Sequence, residues 1–78
     1  MIVLKAIKRS QNKIEADYYP EGENICGHIS ISLPEGETIE YIPAHGYEHT
    51  TCASHARKEL LRLAKLERIP KEKTVIWY

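Results

Sequence analysis

The chain reads as an α+β domain: a four-stranded antiparallel meander, one amphipathic helix packed on one sheet face, and a last strand beside the first, in the sheet order 4-3-2-1-5. Three observations carry this reading. Five short segments alternate apolar with polar residues, or are apolar on both faces, as strands do. Pro-Glu-Gly-Glu occurs twice, at 20–23 and at 34–37, and a proline followed by glycine is turn chemistry. Between the second turn and the C-terminus one segment repeats its apolar residues at helical spacing.

Residues 2–9 form the first strand, with Ile2, Leu4 and Ala6 on one face and Val3 and Ile7 on the other. A strand apolar on both faces belongs inside a sheet rather than at its edge. After Ser10-Gln11-Asn12, the segment 13–19 alternates with Ile14, Ala16 and Tyr18 inward. A three-residue turn sets Leu4 opposite Tyr18, Ala6 opposite Ala16 and Lys5 opposite Asp17. A two-residue turn instead puts Lys5 and Arg9 on the face of Tyr18 and Ile14. The first register matches the apolar faces and is the expected one.

In the third strand Ile25, Gly27, Ile29, Ile31 and Leu33 share one face, and Cys26, His28, Ser30 and Ser32 the other. The fourth, about 37–42, points Ile39 and Tyr41 inward. The helix is expected from Glu48 to Arg68, stopped by Pro70. Its apolar stripe holds Cys52, Ala53, Ala56, Leu60, Leu63 and Ala64, with His49 and Glu67 at the ends. Thr74–Tyr78 is the last strand, which one helical crossover returns beside the first.

Seventy-eight residues predict a single domain, 1–78, whose 42% apolar content suits an ordinary globular chain. Net charge is zero, from 11 basic and 11 acidic residues, yet the charges are sorted. Residues 14–56 hold eight acids and no lysine or arginine, while both flanks are basic. The apolar start meets Lys5 at once, which fits neither an export signal nor a spanning helix. A cytoplasmic location is therefore expected, with Cys26 and Cys52 as thiols on opposite sides of the sheet.

One helix leaves one sheet face uncovered. That face is expected to carry Val3, Ile7 and Tyr19 beside either Trp77 or Ile76 with Tyr78, so that Ile7→Lys would leave the fold intact. A contiguous aromatic and aliphatic patch marks a partner. The leading expectation is a non-catalytic protein-binding or self-association module, a homodimer through this face, with no cofactor and no membrane partner. The alternative is a nucleic-acid-contacting module that uses the basic helix face, with Lys58, Arg62 and Lys65, and the C-terminal tail. The open face, with Tyr19 and a C-terminal aromatic near Lys5, Arg9 and Lys13, could also stack a single strand. A third reading draws on His45, His49 and Cys52, as zinc ligands or as a Cys52–His49 dyad. The small-residue side of the helix should face the sheet and shut substrate out, so neither an enzyme nor a metal site is expected.

Overall fold

Strand β1 (Ile2–Arg9) and strand β2 (Lys13–Pro20) form the first hairpin. Strands β3 (Gly27–Ser32) and β4 (Thr38–Ile42), helix α1 (Cys52–Leu63) and strand β5 (Lys73–Val75) follow. The computed structural model describes residues 1–77, so the surface role expected of Tyr78 lies outside the described residues. The strands build one antiparallel sheet in the order β4-β3-β2-β1-β5, as the alternation predicts.

Both registers weighed for the first hairpin occur in it. Leu4 lies opposite Tyr18 and Lys5 opposite Asp17, the pairing of the longer turn. Further along, Lys8 lies opposite Glu15 and Arg9 opposite Ile14, the pairing of the tight turn. Ala6 makes the change: it adopts φ 53°, and with Ile7 it opposes the single residue Ala16. This is a β-bulge, and it moves every later side chain of β1 to the other face. Ile7, expected on the uncovered face, is therefore 5% exposed and part of the core, while Ala6, expected inward, is exposed. A left-handed alanine costs about 1 kcal/mol. Burying an isoleucine returns roughly 1.5–3 kcal/mol, so the bulge is the favoured arrangement.

The helix is shorter than its periodicity suggests at both ends. At its start, the Thr50 hydroxyl donates to the Tyr47 carbonyl at 2.8 Å and accepts the Cys52 N–H at 3.4 Å, and the Glu48 carboxylate takes the Gly46 N–H at 3.0 Å. Such local bonds offer the backbone an alternative to a helical turn. At the other end the chain tightens, with Leu66 N–H reaching the Leu63 carbonyl at 3.0 Å. The Arg9 guanidinium, brought to this side by the bulge, donates to the carbonyls of Ala64 (3.0 Å), Leu66 and Glu67 (3.0 Å). A cation from β1 thus satisfies the C-cap carbonyl of Ala64 and two carbonyls of the turn beyond it, and meets the negative end of the helix dipole. Arg9 was expected near the open face, and the bulge is the reason it is not there.

The helix phase follows the predicted stripe. Cys52, Ala56, Leu60 and Leu63 are buried against Ile2, Leu4, Ile7, Ile14, Ala16, Ile29 and Ile31. At the β3 end Tyr18 faces Gly27, where a Cβ would come within 2.5 Å of the tyrosine ring and of the Ile42 carbonyl. Only glycine leaves room for that ring. The buried Tyr18 hydroxyl accepts the Ala44 N–H at 3.2 Å, which ties down the segment between β4 and α1.

Strand β4 departs from expectation. A register shift between Ser30 and Ile31 leaves Ile39 without a direct partner, and it is 59% exposed rather than inward. Tyr41 lies opposite Ile29 on the helix side, as expected, but the edge position leaves it 42% exposed. Ile25, expected inward with β3, precedes the strand and is exposed.

Leu60→Ala should lower stability by about 2–5 kcal/mol through the cavity it opens, and Lys58→Ala should be nearly silent. Ile7→Lys should destabilise by roughly 3 kcal/mol or more, because it places a charge in the core. Urea denaturation of the three variants checks both statements. An Ile7→Lys protein as stable as the parent would place Ile7 back on the open face.

Candidate interaction surfaces

The sheet face away from α1 is polar, which corrects the expected apolar patch. Strand parity sets Glu15, Asp17, His28, Ser30 and Glu40 together, since Asp17 lies opposite His28 and Ser30 lies between Glu15 and Glu40. His28 Nδ1 donates to Asp17 Oδ1 at 2.8 Å. Its Nε2 is 3.7 Å from Glu15 Oε1, 3.6 Å from Glu40 Oε1 and 3.4 Å from the Ser30 hydroxyl. Lys13 pairs with Glu15 at 2.7 Å, and its hydrogen bond holds the Glu15 carboxyl below the usual range. Sequence reasoning missed this network, although the signal was present: His28 and Ser30 were already assigned to this face, and so by parity were Glu15 and Asp17.

Of the residues expected to form the interaction patch, the structure brings together Val3 and Tyr19. They lie directly opposite each other and are half-buried, with the Lys5 ammonium 5.0 Å from the Tyr19 ring centroid. A hydrogen bond with Cys26 holds the Tyr19 phenol above its usual pKa. Trp77 is elsewhere. Val75 pairs with Ile2, whose side chain is in the core, so the C-terminal chain directs Trp77 to the helix side. There its ring stacks on His55 at 3.8 Å between centroids and 10° between planes. Ile76 is exposed, at 62%.

The histidine–cysteine set does not assemble. His45 and His49 are exposed in the turns before α1, and Cys52 is 4% exposed in the core. The dyad fails for the same reason, since the helix begins only at Cys52. No group of three histidine, cysteine or acidic side chains that could hold a metal ion occurs among the described residues.

Ser30, His28 and Asp17 do form a hydroxyl–imidazole–carboxylate line. Acyl transfer also needs donors where negative charge develops. Here Ser30 is 4% exposed and is flanked across both strands by Glu15 and Glu40, so an oxyanion would form between carboxylates. The line joins β2 to β3, with Glu40 of β4 beside His28, and is poorly matched to nucleophilic catalysis.

The helix back carries Lys58, Arg62 and Lys65, all exposed, beside Arg57. Two of these four cations are engaged. Arg62 grips Glu59 through two bonds of 2.9 and 2.6 Å, which lowers the Glu59 pKa, and Arg57 donates to the Gly36 carbonyl. At the far edge of the sheet, every residue of β4 is exposed. No helix of the described chain is long and apolar enough to cross a membrane.

Two measurements follow from this geometry. Both cysteines are free, Cys26 exposed and Cys52 buried, so Cys26 should react with a thiol reagent much faster than Cys52 under native conditions. Peptide mapping after brief labelling checks it. Glu15 and Glu59 have folded pKa values below their usual 4.5, so each contributes stability above that range and loses it as pH falls through the folded value. The melting temperature should therefore fall with acid below about pH 4.5, and Arg62→Gln should flatten part of that fall.

Compared with family models, with curated proteins and with solved structures, the chain matches none.

Proposed function

We propose that this chain is a non-catalytic protein-binding module that associates through the outer edge of β4, a second copy of itself being the partner it meets in solution. The supporting observation is the make-up of that edge. Ile39, Tyr41 and Ile42 are 59%, 42% and 53% exposed, and the sheet order ends at β4, with no strand outside it among the described residues. Natural edges are normally blunted by charge, proline or burial, because an open strand pairs with whatever strand it meets. Here the protection is one carboxylate, Glu40, and one irregularity, at Ile39.

A two-fold axis normal to the sheet supports antiparallel pairing of two β4 strands, and isologous dimers are the commonest assemblies. An axis at Glu40 would oppose two like charges. An axis at Tyr41 sets tyrosine against tyrosine and Ile42 against Glu40, which separates the carboxylates and is the better register. The expected homodimer thus moves from the open face, which His28 and its carboxylates make polar, to the edge. Two free thiols support a reducing, cytoplasmic setting. Nucleic-acid contact through Lys58, Arg62 and Lys65 has less behind it, since Arg62 is held by Glu59 and the net charge is zero.

Light scattering at about millimolar concentration, where even a weak pair with about 4 kcal/mol of binding is half formed, tests the reading. The mass should rise toward the dimer, and Tyr41→Lys with Ile42→Lys should hold it at the monomer while leaving circular dichroism unchanged. A parent protein that stays monomeric at that concentration removes the proposal.

A further inference from the structure

A second surface, separate from the β4 edge, carries its own chemistry. Leu33 and Pro34 from the β3–β4 connection and Leu61 and Ala64 from α1 line an open cavity of about 470 Å³. Arg57 and Lys65 stand at its rim, with Glu35 as the acid beside them. Past Leu61 the hollow continues onto the helix back, where Lys58 and Arg62 add two more cations. An aliphatic floor is thus ringed by four cations, of which Arg62 is paired with Glu59, Arg57 donates to the Gly36 carbonyl, and Lys58 and Lys65 stand exposed.

Such a surface fits an occupant that is apolar at its centre and anionic around it. We propose that this groove binds an acidic peptide segment, seating one large apolar side chain against Leu33, Pro34, Leu61 and Ala64 while neighbouring carboxylates meet Lys58 and Lys65. Charge complementarity selects the partner. The site stands apart from association through β4, and failure of either leaves the other untouched.

A second copy of the chain is a poor occupant. A closed two-fold contact would set these cations against their own counterparts. A nucleic acid is the closer competitor, because phosphates also seek cations. Phosphates gain nothing from an aliphatic floor, however, and bases stack on aromatic rings, which the residues lining this groove do not include. The peptide uses both halves of the surface and the nucleic acid uses one.

Fluorescence anisotropy at low ionic strength tests the proposal, with a short labelled peptide of glutamates and aspartates around one central leucine. The same peptide with serine at the centre and a labelled oligothymidine serve as comparisons. The leucine peptide should bind about tenfold more tightly than the serine peptide, and added salt should weaken both. Lys58→Glu with Lys65→Glu should reduce affinity about tenfold or more without altering the thermal melt, since both lysines are exposed. Leu61→Ser should abolish the difference between the two peptides. Equal binding of both peptides by the parent protein, binding of neither, or tighter binding of the oligothymidine than of the leucine peptide would each overturn the proposal.

Discussion

The bulge at Ala6 is the constraint on which the other features depend. A strand has a period of two, so one extra residue exchanges the faces of everything after it. Before the bulge, β1 sets Ile2 opposite Pro20 and Leu4 opposite Tyr18, and pairs both with β5. After it, Ile7 completes the core beneath α1, and Arg9 arrives beside the end of the helix. Without the exchange both would face solvent, and the carbonyls of Ala64 and Glu67 would lose their donor. The first strand therefore ties down the turn that follows the helix, although the two lie more than fifty positions apart in the chain.

The same exchange explains why one helix suffices. A five-stranded sheet with a bare apolar face would need a second covering layer. Here the uncovered face carries His28 among three carboxylates, with Lys13 on Glu15 and Lys5 over Tyr19. The charge sorting along the chain thus becomes a sorting of faces. Three of the middle acids, Glu15, Asp17 and Glu40, lie on the open sheet face, and four of the C-terminal cations, Arg57, Lys58, Arg62 and Lys65, lie on the helix back. With that network internally paired, the β4 edge stands out as the strand that exposes three large apolar side chains, Ile39, Tyr41 and Ile42.

Much of the architecture was legible in the sequence, because it rests on local periodicity. Alternation in 13–19, the two Pro-Glu-Gly-Glu turns and the stripe through Ala56, Leu60 and Leu63 each declare an element without outside information. What was not legible depended on contacts between distant residues. The choice between two hairpin registers looked like an alternative, and the chain uses both by inserting Ala6 between them. Trp77 alternates to the helix side because Val75 pairs with Ile2, a contact that no property of residues 74–78 encodes. The ends of α1 moved inward for a similar reason, since Thr50 and Arg9 compete for backbone groups that periodicity alone assigns to the helix. Proximity in sequence among the histidines and cysteines makes no site, because strand parity turns His28 away from the helix, helix phase buries Cys52, and His49 lies exposed in the turn before α1.

These placements also bound the strength of any association. A chain this short buries only about 60% of its unfolded surface, so its stability margin is thin. Extensive exposed apolar area would erode that margin and invite aggregation. The two proposed surfaces are small, and each is interrupted: Arg57 and Lys65 share the lining of the hollow beside Leu61, and the irregularity at Ile39 breaks the β4 edge. Small areas leave little surplus once the entropy of association is subtracted. Selectivity must then come from matching rather than from area: strand register at β4, and opposite charge around an apolar contact at the helix.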